Sequence, residues 1–75
     1  MFTLDDLEDA HRLVTTQMTP TGQYAWPQLE ARLGTKVWVK HENHTRTGSF
    51  KVRGAITFID WLKSTQPDCP GIVTA

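Results

Sequence analysis

Cysteine is almost absent from this sequence, since Cys69 is the only one among 75 residues. A single thiol excludes an internal disulfide and fits a reducing, cytosolic compartment. Long hydrophobic runs are also missing, because no stretch approaches the roughly 18 apolar residues that a membrane span requires. The acidic start of the chain lacks the basic and apolar regions of a signal peptide. We therefore expect a cytoplasmic protein with no membrane partner.

An excess of charge of either sign is absent too. Eight lysines and arginines balance eight aspartates and glutamates, so the formal net charge is zero. A neutral balance argues against a general nucleic-acid partner. The glycine spacing around Gly48 and Gly54 matches neither G-x-G-x-x-G nor the P-loop pattern. We therefore predict no nucleic-acid partner and no nucleotide-binding loop of these two types.

The chain is short for an independent domain. A domain of this size buries only about 60% of its unfolded surface, so its stability would be marginal without partners, metals or disulfides. Residues 71–75 are typical of a buried parallel strand, which needs neighbours on both sides and cover on both faces. We therefore expect residues 1–75 to be an N-terminal fragment of a larger domain whose remainder is absent from this sequence.

The first half of the chain predicts two helices separated by a loop. Thr3 and Asp6 have the spacing of a capping box at the start of the first helix. Residues 15–26 contain a Thr-Pro-Thr-Gly turn signal and are predicted to form a loop. A short second helix follows, with Pro27 suited to its first position and Gly34 to its end.

The second half of the chain predicts a βαβ unit. Residues 36–40 alternate between valine on one face and lysine or tryptophan on the other, as in a half-buried strand. A period of 3.6 predicts a helix over residues 50–63, mostly buried against a sheet. With a strand at 71–75, residues 36–75 would form two parallel strands joined by a right-handed crossover. The helix would then begin at the carboxyl end of the first strand, where open α/β sheets bind ligands.

Two histidines and a carboxylate lie close together in sequence at His41, Glu42 and His44. In an extended segment, residues 41 and 44 point to opposite faces. Neither a cysteine nor a further ligand stands at a recognised zinc spacing nearby. We therefore predict that this chain has no metal site.

The most informative stretch is TGSFKVRGA at residues 47–55, which opens the predicted helix. It places Lys51 in the first turn, behind small residues and beside Phe50. A helix N-terminus disfavours a protonated amine and favours nearby anions. A neutral lysine amine attacks carbonyl carbons to form Schiff bases. A solvated surface lysine is the alternative role, and it is the commoner one for this residue type.

Residues 48–55, GSFKVRGA, resemble the cofactor-lysine motif of the serine/threonine dehydratase (threonine ammonia-lyase) family. A Thr-Pro pair at 19–20, the strand pattern at 36–40 and Glu42 agree with the same family, so the similarity runs over about residues 4–75. The family belongs to the fold-type-II pyridoxal-phosphate enzymes. The resemblance implies an α/β fold, namely the N-terminal portion of a tryptophan synthase β-like domain, and pyridoxal 5'-phosphate as the cofactor.

The resemblance also implies roles for individual residues. Lys51 would hold the cofactor as a Schiff base and later act as the base on the substrate α-proton, while Phe50 would lie against one face of the cofactor ring. Ser49 is a candidate helix cap, and Arg53 has a structural role on the polar helix face. The implied reaction removes water and ammonia from L-threonine or L-serine to give a 2-oxo acid, in a homo-oligomer (dimer or tetramer).

Two departures from the family pattern border this site and bear on substrate choice. Arg46 stands where many relatives have proline or another uncharged residue, and Asn43 replaces an aspartate. The segments that bind phosphate, ring nitrogen and substrate carboxylate in the family would lie beyond Ala75, so residues 1–75 alone are expected to be inactive. Two other functions stay open, an amino-acid racemase on the same scaffold and a non-catalytic, truncated interaction module.

Overall fold

A computed structural model of the chain describes residues 1–74, which form helices and two short strands. In chain order the elements are α1 (Leu4–Gln17), β1 (Gln23–Ala25), α2 (Pro27–Leu33), β2 (Trp38–Lys40), a one-turn 3-10 helix (Glu42–His44) and α3 (Lys51–Thr65). Among residues 1–74, none of the helices has the length and apolar composition that a membrane span requires.

Helix α1 begins with the predicted capping box. The Thr3 hydroxyl accepts a hydrogen bond from the Asp6 backbone N–H at 3.2 Å, and the Thr3 N–H donates to the Asp6 carboxylate at 2.7 Å. The backbone and hydroxyl hydrogen bonds from Thr3 lower the pKa of Asp6. Asp5 and Asp6 also place negative charge in the first turn, where the helix dipole favours it. The predicted start of this helix is therefore confirmed.

Helix α2 also has the predicted boundaries. Pro27 is its first residue, where the missing N–H costs no intrahelical hydrogen bond. Gly34 ends the helix with a φ of 69°, and its N–H donates to the Glu30 carbonyl at 2.9 Å. A left-handed residue at this position is a common helix terminator and favours glycine. Both local signals in the sequence are thus confirmed.

The two strands pair with each other in antiparallel orientation. Tyr24 lies opposite Val39 at the centre of the ladder, which runs from the pair Gln23–Lys40 to the pair Ala25–Trp38. Strand β1 falls within residues 15–26, so the prediction of a loop throughout that segment is wrong. A strand of three residues is too short to show the alternation by which strands are recognised in a sequence.

Helix α3 packs against α1, which carries Val14, a residue that is 7% exposed and the only buried hydrophobic residue among residues 1–74. The helix runs two residues past its predicted end, but it contains no buried residue. Its expected burial against a sheet is therefore wrong for the described part of the chain. Two strands of three residues offer little surface, and Phe58 and Trp61 remain 48% and 51% exposed.

The predicted βαβ unit over residues 36–75 is only half present. Strand β2 and helix α3 form as expected, but residues 71–74 adopt no strand conformation. Ala75, the end of the predicted second strand, lies outside the described residues. A strand is stabilised by hydrogen bonds to a neighbouring strand, and the two strands that the structure describes pair with each other. The parallel pair is therefore not formed within residues 1–74.

Candidate cofactor site

A tight turn at residues 45–49 immediately precedes α3. The Thr45 hydroxyl accepts a hydrogen bond from the Ser49 N–H and donates to the Ser49 carbonyl, both at 3.0 Å. The Gly48 N–H donates to the Thr45 carbonyl at 3.0 Å. Gly48 has a φ of 67°, which L-residues with a side chain rarely adopt. The glycine in the motif is therefore explained by the backbone conformation of this turn.

The first turn of α3 is capped by the residue before the N-cap position. Phe50 occupies the N-cap with a helical backbone and makes no capping hydrogen bond with its side chain. The Ser49 hydroxyl instead accepts from the Lys51 N–H at 3.3 Å. Ser49 therefore makes the expected hydrogen bond to a backbone N–H of the first turn. It does so from one residue before the N-cap position, which Phe50 occupies.

Lys51 is the first residue of α3, and its side chain is exposed. Within residues 1–74, its Nζ forms no ion pair with a carboxylate. The neighbouring Phe50 ring is 65% exposed. An accessible amine beside an uncovered aromatic ring fits the covalent attachment of an aromatic aldehyde, with Phe50 available to contact the ring. The assignment of cofactor roles to these two residues stays a prediction.

A network centred on the Glu42 carboxylate lies directly beside the first turn of α3. Arg53 donates to it twice, from Nε to Oε2 at 2.7 Å and from Nη2 to Oε1 at 2.9 Å. The Thr21 hydroxyl donates to Oε1 at 2.5 Å. Lys40 Nζ lies 4.0 Å from Oε1 and donates to the Thr21 carbonyl at 3.2 Å. Three segments of the chain therefore meet at one carboxylate group.

The same contacts set the charge state of the network. Hydrogen bonds from Arg53, and then from Thr21, lower the pKa of Glu42 to about 2, with a smaller contribution from the charge of Lys40. The Glu42 carboxylate in turn raises the pKa of Arg53. Both groups are therefore charged at neutral pH. The sequence predicted a structural role for Arg53, but its partner eleven residues earlier was missed because no local periodicity relates the two positions.

The histidines after β2 form part of an aromatic cluster. The His41 and His44 rings stack with centroids 5.0 Å apart, so the expectation that they point to opposite faces is wrong. The one-turn 3-10 helix explains this, because its side chains eclipse every three residues. His41 Nε2 also accepts a hydrogen bond from Trp26 Nε1 at 3.0 Å. Within residues 1–74, no group of three or more His, Cys, Asp or Glu side chains is arranged to hold a metal.

A cavity of about 540 Å³ lies beside α3 and is bordered by the end of α1, the loop before β1 and the end of the 3-10 helix with the two residues after it. It is lined by residues 15–22, residues 44–46, and Val52 and Ile56 of α3. Neither Lys51 nor Phe50 lines this cavity. The concave surface therefore lies beside the candidate cofactor lysine and does not surround it.

Comparison with known proteins identifies the family. The sequence profile of the pyridoxal-phosphate dependent enzyme family matches residues 14–75. L-threonine ammonia-lyase from Thermotoga maritima is 35% identical over 75 residues, a match that covers 100% of this chain and 18% of that relative. No solved structure is significantly similar to the chain.

The profile match spans most of the chain and includes the turn, Lys51 and the whole of α3. It confirms the predicted fold class, an N-terminal portion of the fold-type-II architecture, and the predicted dependence on pyridoxal phosphate. The short strands and uncovered helices of residues 1–74 are consistent with part of that architecture. The chain belongs to the family of pyridoxal-phosphate dependent enzymes.

Proposed function

We propose that this chain is part of a lyase that removes water and ammonia from L-threonine or L-serine to give a 2-oxo acid. The observation that carries the proposal is the 35% identity to an L-threonine ammonia-lyase over the whole chain. Because the chain spans 18% of that relative's length, the activity is proposed for a longer protein that contains these residues. Residues 1–75 would be the N-terminal part of its catalytic domain and inactive alone.

In this proposal, Lys51 has two roles. Its Nζ would form a Schiff base with the cofactor aldehyde and, once the substrate amine has replaced it, would take the proton from the substrate α-carbon. Bound pyridoxal phosphate supplies an electron sink that makes this proton acidic. The accessible Nζ, which forms no ion pair with a carboxylate within residues 1–74, supports both roles.

Phe50 would contact one face of the cofactor ring and exclude water from that face. Its ring is exposed next to Lys51 and is therefore available for this contact. Loss of the α-proton and the β-hydroxyl releases one water, and hydrolysis then yields ammonia and the 2-oxo acid. The net reaction converts one hydroxy amino acid into one 2-oxo acid and one ammonia.

The cellular setting and assembly follow from the same proposal. A single cysteine fits a reducing cytoplasm. The exposed apolar side chains of α3, including Phe58, Ile59 and Trp61, need cover from the rest of the domain or from another subunit. We propose a cytoplasmic homo-oligomer, a dimer or a tetramer, acting on a small amino acid.

The test uses the full-length protein that contains this chain, supplied with pyridoxal phosphate. We expect a visible absorbance band from the lysine-bound cofactor, and 2-oxo acid and ammonia in equal amounts from L-threonine or L-serine. Formation of the D-amino acid without ammonia would support the racemase. A colourless protein would contradict an enzyme of either kind and support the interaction module.

The expected inactivity of the isolated chain has its own test. Residues 1–75 are incubated with pyridoxal phosphate and each substrate under the conditions that give turnover with the full-length protein. We expect no 2-oxo acid above the rate of free cofactor. Turnover by residues 1–75 would show that they contain a complete site.

A further inference from the structure

We propose that Glu42 and Arg53 are a positioning pair that fixes the orientation of Lys51 for catalysis. The proposal rests on the cofactor role proposed for Lys51. It concerns two residues that touch neither cofactor nor substrate in this account and that act through the helix carrying the lysine.

The ion pair between Glu42 and Arg53 holds the first turn of α3 in place. Arg53 follows Lys51 by two residues on the same helix, so a displacement of one displaces the other. Both Glu42 carboxylate oxygens are engaged by Arg53, at 2.7 and 2.9 Å, which fixes the guanidinium plane as well as its distance. Glu42 itself follows the end of β2 by two residues. The pair therefore connects the strand end directly to the turn that contains the lysine.

A third segment holds the carboxylate in place. The Thr21 hydroxyl donates to Glu42 Oε1 at 2.5 Å, and the Thr21 carbonyl accepts from Lys40 Nζ at 3.2 Å. Glu42 is thus restrained from the loop before β1 and from α3 at once. Because two elements hold the carboxylate, its orientation towards Arg53 is fixed, whereas a single ion pair on a flexible surface would leave it free to rotate.

The charges explain why the pair is needed. The first turn of α3 has no acidic residue and carries two basic side chains, Lys51 and Arg53, at the positive end of the helix dipole. Glu42 supplies the missing negative charge from another element. The Glu42 carboxylate pairs with Arg53 and Lys40 and, within residues 1–74, forms no ion pair with Lys51. The arrangement therefore stabilises the turn and leaves the lysine amine available.

Two conservative variants of the full-length protein, Arg53→Lys and Glu42→Gln, test the proposal. Lysine keeps the charge but lacks the planar fork, and glutamine keeps the size but lacks the charge. Small misplacements of a catalytic group cost up to about 100-fold in rate, so we expect kcat to fall about 10- to 100-fold with a smaller change in KM. The absorbance band of the bound cofactor should shift or weaken while the protein stays folded.

The Arg53→Gln variant, alone and combined with Glu42→Gln, tests whether the two residues act as one unit. If the residues act as one unit, kcat of the double variant should be no lower than that of Arg53→Gln, since coupled effects are not additive. Arg53→Lys should retain more activity than Arg53→Gln. The matched control is Arg12→Gln, which removes an exposed arginine that pairs with Glu8 and Asp9 on α1, and its kcat and absorbance should equal those of wild type.

The outcomes separate this proposal from the proposed function. A wild-type protein without an absorbance band and without activity would overturn both. A wild type that is coloured and active, with Arg53→Lys and Glu42→Gln showing unchanged kcat and unchanged absorbance, would overturn the positioning pair alone. A lower melting temperature with unchanged kcat would count against it in the same way, because it would show a purely structural ion pair.

Discussion

The two long helices of this chain begin in opposite ways. Helix α1 starts with a reciprocal capping box between Thr3 and Asp6 and has two acidic residues in its first turn. Helix α3 starts at Lys51 with no capping hydrogen bond from the side chain at its N-cap and with no acidic residue in its first turn. The first helix is thus stabilised by its own sequence, whereas the second depends on Ser49 in the preceding turn and on the distant Glu42.

The difference shows what a reactive helix start requires. A capping box uses the favourable end of the helix dipole for stability and fills it with carboxylates. The same carboxylates at the start of α3 would pair with Lys51 and block its amine. Placing the compensating charge on Glu42, and binding it to Arg53, avoids that competition. Breaking each helix start should therefore have different consequences for stability and for cofactor binding.

The largest effect is expected from Lys51→Ala. Removal of the amine eliminates both the covalent attachment and the base, and loss of a general base alone costs about 10²- to 10⁴-fold in rate. We expect the visible absorbance band and the lyase activity of the full-length protein to disappear. The control is Lys63→Ala, in the last turn of the same helix, which should retain both. Equal loss in the two variants would contradict a specific role for Lys51.

The next largest effect is expected from alanine at Gly34 and Gly48, the two glycines with φ near 70°. A left-handed backbone costs a residue with a side chain about 1–2 kcal/mol, so both variants should unfold at lower urea concentrations. Gly34→Ala lies at the end of α2 and should leave the absorbance of the bound cofactor unchanged. Gly48→Ala alters the turn before Lys51 and should weaken that absorbance. Equal cofactor absorbance in the two variants would contradict a role of the turn at Gly48 in cofactor binding.

Acid should remove the contribution of Glu42 to stability. The pKa of Glu42 is about 2 in the folded chain and 4.5 for the free side chain, so its contribution to stability is complete above about pH 5 and is lost as the pH falls towards 2. Glu42→Gln should therefore unfold at lower urea concentration than wild type at pH 7, and the gap should close between pH 5 and pH 2. The control Glu8→Gln, an exposed carboxylate on α1, should follow wild type throughout. If the difference in unfolding urea concentration between Glu42→Gln and wild type did not change with pH, the charge of the Glu42 carboxylate would contribute nothing to stability.

The smallest effect is expected from Thr3→Ala. Loss of an N-cap hydroxyl typically costs about 1 kcal/mol, so the free energy of unfolding should fall by that amount. The cofactor absorbance and kcat should not change, because neither the residues assigned to the cofactor nor those that contact the Glu42 carboxylate belong to α1. A change in cofactor absorbance without a change in the free energy of unfolding would contradict the claim that the start of α1 affects stability alone.

The parts of the fold that could be predicted from sequence are those determined locally. The capping box at Thr3, the start of α2 at Pro27 and its end at Gly34 all depend on residues within one helical turn. Strand β1 was missed because its three residues carry no periodic signal of their own. The strand expected at 71–75 depends on a neighbouring parallel strand, whereas the two described strands pair with each other in antiparallel orientation.

The candidate site divides in the same way. The motif around Lys51 could be recognised because its residues are contiguous, and the requirement for Gly48 follows from a single backbone angle. The contact between Glu42 and Arg53 joins a strand end to a helix, and only the folded chain shows it. The stacking of His41 on His44 depends on a 3-10 turn that the extended interpretation of this segment had missed.

The most direct test of the central claim is to locate the covalent attachment. The full-length protein is loaded with pyridoxal phosphate and treated with borohydride, which reduces a carbon–nitrogen double bond to a stable secondary amine, and the labelled peptide is then identified by mass spectrometry. We predict a single phosphopyridoxyl group on Lys51. A label on a different lysine, or an unlabelled protein at saturating cofactor, would contradict the assignment of Lys51 as the cofactor lysine.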